Sequence, residues 1–224
     1  MTDQPGSGAI TITLAAKGDG QAAATLGALA VSDHTPSPQA ALSPLLHAID
    51  NHGGRVPLPY GHGHCLTARL GDTIVGMLYA APPIRWLQSQ PADQRARLTQ
   101  TLVEIELLAV AKPYRNRGIG TALLEGAEHA ARAAGTHLAL AKIRIGAFPT
   151  MRWYRQRGYT IAAQGEPIIF RTHQGFTSCD DGSDGHQLAV KTLQPGTSVH
   201  RDAARGDTCL IAEHTTQPNA TRHP

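Results

Sequence analysis

Between Leu102 and Gly135 the hydrophobic period changes across a short turn holding two glycines, and this change limits the folds open to the chain. Side chains alternate across a strand, so in Leu102 to Val110 the residues Val103, Ile105, Leu107 and Ala109 share one face. Glu104, Glu106, Leu108 and Val110 share the other. The first face is wholly apolar. The second passes from acidic to apolar along its length, as suits a strand running past a cavity. From Ile119 the small or apolar positions fall at Ala122, Leu123, Gly126, Ala127, Ala130, Ala131 and Ala134, the 3.6-residue stripe of a helix laid on a sheet. Gly135 is expected to cap that helix. A strand, a glycine turn and a sheet-packed helix point to a mixed α/β fold.

The turn itself, Arg115-Asn116-Arg117-Gly118-Ile119-Gly120, has the chemistry of an anion site. Unpaired N–H groups of a helix's first turn point outward, and the helix dipole adds positive potential. Gly118 and Gly120 let a diphosphate approach the backbone without a Cβ in the way. Arg115 and Arg117 add charge-assisted donors. A dinucleotide fingerprint would need a third glycine where Leu123 stands, and a P-loop would need Gly-Lys-Ser/Thr; both are absent. The neighbourhood is basic: nine Lys or Arg lie between Ala111 and Gly158 against only Glu125 and Glu128, which suits a polyanionic ligand.

Bulk properties bound the rest. The 224 residues, 41% of them apolar, favour one domain with extensions, given about 100–200 residues per domain. A net charge of +3 is too small to argue for nucleic acid or a membrane surface. Cys65, Cys179 and Cys209 are far apart, so neither a disulfide framework nor a zinc knuckle is expected. His62-Gly63-His64-Cys65 offers only local ligands, and no metal is expected. No stretch approaches the roughly 20 apolar residues of a membrane span. The expectation is a soluble, cytoplasmic protein, compatible with a homodimer.

Ala9 to Ala15 reads as a first strand, Gln21 to Val31 as a helix, and Ser43 to Asn51 as a second helix after the breakers Pro36 and Pro38. His64 to Leu70 and Thr73 to Ala80 flank Gly71-Asp72, the pattern of a tight hairpin. Pro82 to Gln100 is a polar connection with one helical turn after Pro91, leading into Leu102 to Val110 as fourth strand. Beyond Gly135, Leu138 to Ile145 reads as a fifth strand, Pro149 to Arg157 as a short helix and Tyr159 to Ala163 as a sixth strand. Pro167 to Thr172 extends the sheet and Gln187 to Leu193 closes it, after a Gly- and Asp-rich loop at Ser178 to Gly185. The polar segment 194–224, with Cys209-Leu210-Ile211 its one apolar spot, is expected to be mostly disordered.

Arg115 to Gly120 matches the Arg/Gln-x-x-Gly-x-Gly/Ala signature of the GNAT superfamily of N-acetyltransferases, and Trp153-Tyr154-Arg155-Gln156-Arg157-Gly158-Tyr159 resembles that family's aromatic-Tyr-x-x-x-Gly-aromatic segment. The resemblance implies a mixed, mostly antiparallel sheet of six to seven strands with flanking helices. It puts that domain at residues 8–193 and splays the fourth and fifth strands around a pantetheine arm. It implies acetyl-CoA as co-substrate, with Arg115, Asn116, Arg117, Gly118, Ile119, Gly120 and Thr121 at the diphosphate and the backbone of Leu108 and Val110 on pantetheine. The acceptor implied is a primary amine, on a small molecule or a protein. Amines with a pKa of about 8–10 are protonated at neutral pH, so a base must act, and family members place one at the position of Glu104 or Glu106; Glu106 is favoured here. Tyr154 falls at the position of the acid that protonates the thiolate. The Asn often found seven residues before that Tyr is Ala147 here.

Two other readings compete: an acyl-CoA-binding sensor with idle acids, and a nucleic-acid binder suggested by the basic middle segment, which lacks any aromatic-basic surface motif. The acceptor pocket is expected among Ser32 to Gly63, Pro82 to Gln100 and Gln164 to Gly185.

Overall fold

A computed structural model describes residues 9–31, 38–172, 175–179, 185–202 and 208–214. The chain divides into two compact units after Ala134.

The first unit is built on antiparallel strands. Strand β1 (Ile10–Leu14) is followed by helices α1 (Gly20–Val31) and α2 (Pro38–His52), then β2 (Arg55–Leu58), β3 (Gly61–Leu70) and β4 (Thr73–Ala81). Short helices α3 (Ile84–Ser89) and α4 (Ala92–Leu98) lead into β5 (Leu102–Val110), and a 3-10 turn at Lys112–Tyr114 precedes α5 (Ile119–Ala133). The strand order is β1-β3-β4-β5, with β2 paired to the first half of β3. The hairpin across Gly71-Asp72 and the bounds of β5 are those expected from sequence. Helix α2 begins earlier than expected, because Pro38 falls in its first turn, where a missing N–H costs nothing. The Pro82 to Gln100 connection holds two helices where one turn was expected, and β2 was not foreseen.

Helices α1 and α5 cover opposite faces of this sheet. A Cβ added at Gly27 of α1 would meet Leu107 and Met77, while one at Gly76 of β4 would meet Leu123 and Ile119 of α5. Gly76 and Met77 are consecutive, so their side chains point oppositely. Ala23, Ile49, Cys65, Met77, Tyr79, Leu107 and Ala109 form the core under α1 and α2. Gly20 opens α1 against α2: its N–H donates to Asp50 Oδ1 at 2.8 Å, and a Cβ there would lie 2.3 Å from the Leu46 carbonyl.

The second unit holds β6 (Leu138–Arg144), α6 (Phe148–Arg155), β7 (Thr160–Ile161), β8 (Ile168–Thr172), β9 (Gly175–Cys179), β10 (His186–Thr192), β11 (Thr197–Asp202) and β12 (Cys209–His214). Strand β10 pairs antiparallel with both β6 and β7. Strand β8, expected to extend that sheet, instead joins a four-stranded sheet of order β11-β12-β8-β9. The segment expected to be disordered thus contributes two strands, although 203–207 and 215–224 lie outside the described residues. The physical reason is a pairing between distant apolar runs: Leu210, Ile211 and Ala212 run parallel to Ile168, Ile169 and Phe170, burying Leu210, Ile168 and Phe170. A staple fastens the sheet. Arg201 grips Glu166 through Nε at 2.6 Å and Nη2 at 2.8 Å, and Glu166 also accepts the Ala163 N–H at 2.6 Å.

The architecture is a mixed α/β one, with mostly antiparallel sheet and flanking helices. Among the described residues no helix is long and apolar enough to cross a membrane.

Candidate active site

Strand β5 does not keep the alternation its sequence suggests. It pairs with β4 regularly from Gly76 opposite Val110 to Tyr79 opposite Leu107, then slips, leaving Ala80 opposite Ile105 and Ala81 opposite Glu104. Glu106 is the extra residue of a β-bulge, so Glu106 and Leu107 both stand against Tyr79. The slip moves Ile105 to the face of Ala80, away from Leu107 and Ala109, and moves Glu104 away from the face of Leu108 and Val110. This corrects the two uniform faces read from sequence. The bulge also re-aims Glu106, which is exposed, while Glu104 is half-buried.

Tyr79 is a residue the sequence reading missed. Its ring leans over Gly63 of β3 so closely that a Cβ there would lie 2.2 Å from the phenol oxygen. Burial, then the Glu106 carboxylate, then Cys65 hold its pKa well above the ordinary tyrosine value, so Tyr79 stays protonated beside Glu106. Burial chiefly, with Asp19 adding, pushes the Cys65 thiol up to about 12, leaving it an inert core group. His64 is held below its ordinary value by burial, then by Arg55 and His62, and is therefore neutral near pH 7. Among the described residues no three His, Cys, Asp or Glu side chains converge as metal ligands.

Past Val110 the chain makes the turn expected to bind an anion. Gly118 precedes α5 with φ +78° and Asn116 has φ +61°, both left-handed. Asn tolerates that region better than most residues, which accounts for its place here. No side chain caps the start of α5, and no acidic residue lies in its first turn, so its first N–H groups stay directed outward. Ile119 is buried against β4, close to Gly76, where a Cβ would lie 3.2 Å from Ile119 Cγ2; Gly76 thus lets the start of α5 approach the sheet. Arg115, Asn116, Arg117 and Gly118 are exposed, and Gly120 and Thr121 half-buried. Arg115 turns back to donate Nε to the Val110 carbonyl at 2.9 Å, fastening the turn to the end of β5. Leu108 and Val110 lie opposite Leu78 and Gly76. One strand and its following turn therefore carry Glu104, Glu106, Leu108, Val110 and Arg115 through Thr121.

Tyr154 lies in the second unit, on α6. It is 6% exposed and meets the Trp153 and Tyr159 rings edge-on, each at 4.9 Å. The Tyr159 N–H donates to the Tyr154 carbonyl at 3.2 Å across Gly158, whose φ is +84°. Arg157 stacks 3.8 Å from the Trp153 ring centre and donates to the Trp153 carbonyl, so it braces the helix end. Ala147 stands at the N-cap of α6 without a side-chain cap.

The family model described as "Acetyltransferase (GNAT) family" matches residues 30–159. Among solved structures, a GNAT-family protein from Desulfovibrio desulfuricans superposes with a TM-score of 0.57 at 19% identity, over 83% of this chain and 100% of that one. The PaiA N-acetyltransferase of Thermoplasma acidophilum, in complex with coenzyme A, gives 0.52 at 14% identity, over 82% and 99%. The ribosomal-protein-S18-alanine N-acetyltransferase of Escherichia coli gives 0.51 at 15% identity, over 83% and 95%. These likenesses show the fold. No curated protein sequence matches the chain. The family match spans more than half of the 224 residues, and the chain belongs to the GNAT family of acetyltransferases.

Proposed function

We propose that the protein is an N-acetyltransferase that moves the acetyl group of acetyl-CoA to a primary amine by direct attack in a ternary complex. The observation that carries this reading is the continuity of β5 with the donor turn: an uncapped helix start follows a strand that exposes a carboxylate at a bulge. Strands rise about 3.4 Å per residue and the bulge adds less than a full rise, so Glu106 lies about 10–14 Å along the strand from Val110, within the reach of a pantetheine arm lying along β5. The diphosphate is proposed to sit on the N–H groups and basic side chains from Arg115 to Thr121, and pantetheine on the backbone of Leu108 and Val110. Coenzyme A bound to a neighbour of the same fold supports the donor.

In the proposed reaction Glu106, with Glu104 as alternate, takes a proton from the ammonium. The amine lone pair then attacks the thioester carbonyl carbon; as the C–S bond breaks Tyr154 protonates the leaving thiolate, and the second N–H proton, shed by the acylated nitrogen through water, restores the Tyr154 phenol and leaves a neutral amide. A positioned base or acid contributes about 10²–10⁴-fold. Thiol release from acetyl-CoA in the presence of amines tests this. Glu106→Gln should lose at least about 10²-fold in kcat, and undiminished turnover in both Glu106→Gln and Glu104→Gln would refute the base assignment.

A second reading, an acyl-CoA-binding sensor without turnover, is favoured by one observation, the 6% exposure of Tyr154 between two aromatic rings. It predicts coenzyme A binding with no thiol release from any amine.

A further inference from the structure

In the proposed ternary complex the donor arm lies along β5 from the α5 end, on the Val110 side of Glu106. The amine then has to arrive from the Leu102 end of the strand. Helices α3 and α4 stand at that end: the chain leaves β4 at Ala81, which lies opposite Glu104, and returns as β5 at Leu102.

Arg95 fastens these helices to each other and to a neighbouring turn. Arg95 of α4 donates Nε to the Gln90 carbonyl at 2.9 Å and Nη2 to the Gln88 carbonyl at 3.0 Å, satisfying groups at the end of α3. Its Nη1 reaches the Tyr60 hydroxyl, in the turn between β2 and β3, at 3.4 Å, and the guanidinium carbon lies 6.0 Å from the Tyr60 ring centre. Pro82 and Thr99 close on the same turn, each 3.8 Å from where a Cβ on Gly61 would be. Leu87 and Leu98 are buried beneath. Two donors of the fork thus tie α4 to the end of α3, and the third, with the guanidinium over the ring, ties both to the β2–β3 turn, where Tyr60 is half-buried.

We propose that α3, α4 and the Tyr60 turn form the acceptor-side wall of the site, and that Arg95 is the positioning residue that sets it; this rests on the reading of Glu106 as base. Arg95 touches neither donor nor reacting atoms. Removing its fork lets the wall move relative to Glu106 while the donor turn, at the other end of β5, keeps its place. The consequence falls on the acceptor alone.

The test is steady-state thiol release from acetyl-CoA with three probe amines: an alanine-starting peptide, spermidine and glucosamine. The best of these is carried into wild type, Arg95→Met, Arg95→Lys, Tyr60→Phe and Glu106→Gln. Arg95→Met should raise the acceptor KM by about tenfold, the equivalent of one or two net hydrogen bonds. The acetyl-CoA KM should stay within about twofold, on the same scale of energies. Arg95→Lys and Tyr60→Phe should fall between wild type and Arg95→Met, and they keep the test alive if Arg95→Met does not fold. An equal rise in both KM values, or no rise in either, overturns the wall with Glu106→Gln inactive. Full activity of Glu106→Gln instead overturns the base reading on which the wall rests. Wild type that binds coenzyme A but acetylates none of the probes overturns both.

Discussion

Substitution at Gly118 separates backbone strain from ligand contact in the donor turn. Gly118 has φ +78°, and an added Cβ would meet no heavy atom within 4 Å. Alanine there costs only the left-handed conformation, about 1–2 kcal/mol. In a chain of this size each kcal/mol moves Tm by about 2–4 °C, so Gly118→Ala should melt about 2–8 °C lower. Asparagine accepts the region more readily, as Asn116 at φ +61° shows two residues earlier, and Gly118→Asn should keep most of the stability. Both variants nevertheless add a Cβ where the diphosphate is proposed to approach the backbone. Disturbing one charge-assisted hydrogen bond costs about 1.5–3 kcal/mol, which raises the acetyl-CoA KM by about tenfold to a hundredfold. Thermal melts by circular dichroism and steady-state thiol release at varied acetyl-CoA read the two effects separately. If asparagine restores KM along with Tm, the Cβ meets no ligand, and the turn is not the diphosphate site.

Three further outcomes follow from particular contacts. Hydrogen bonding from Arg201 chiefly, with Ala163 and Thr208 adding, outweighs burial and holds the Glu166 carboxyl below its ordinary value. Its stabilisation is therefore fully present above the unfolded carboxylate value and is lost as pH falls through the folded one; the Tm gap between wild type and Glu166→Gln should be open at pH 7 and close on acidification, and a gap independent of pH would contradict the staple. Gly63→Ala should cost about 1–3 kcal/mol by driving the Tyr79 ring off β3, measured by urea melts, whereas a neutral result would mean the ring has room to move. Tyr154→Phe should lower kcat by about 10²-fold or more with acetyl-CoA KM unchanged if the phenol is the acid; unchanged kcat would leave Tyr154 as a packing residue.

The parts of the fold legible in the sequence were those whose signals are local. The bounds of β5, the Gly71-Asp72 hairpin and the start of α5 at Ile119 each have a period or a turn residue to mark them. The bulge at Glu106 has neither glycine nor proline to announce it, and it exists only in the register against Tyr79 and Ala80. Tyr79 was passed over for the same reason: its contact with Gly63 crosses from one strand to another, and nothing in the hairpin pattern distinguishes it from a core tyrosine. Strands β11 and β12 were lost because Cys209-Leu210-Ile211 is too short an apolar run to read as a strand alone. Its partner, Ile168-Ile169-Phe170, lies some forty residues earlier. The turn at Arg115 to Gly120 was legible as a turn and helix start because glycines and helix starts are local devices, whereas the Arg95 fork, which joins three elements, was not.

Arg115 connects the readable and unreadable parts of the site. From sequence it is one of two arginines beside a phosphate turn; in the structure its Nε is committed to the Val110 carbonyl. Only its terminal nitrogens remain for a phosphate, and whatever they bind is held at a fixed offset from the last residue of β5. Glu106 is fixed on that same strand by the bulge. If the diphosphate lies on the turn, its distance from the carboxylate is set by β5 and by the short 3-10 connection that Arg115 ties back to Val110. That arrangement favours a donor arm of constant length and leaves variation in the substrate to the opposite end of β5, where Arg95 ties together the two short helices proposed as the acceptor-side wall.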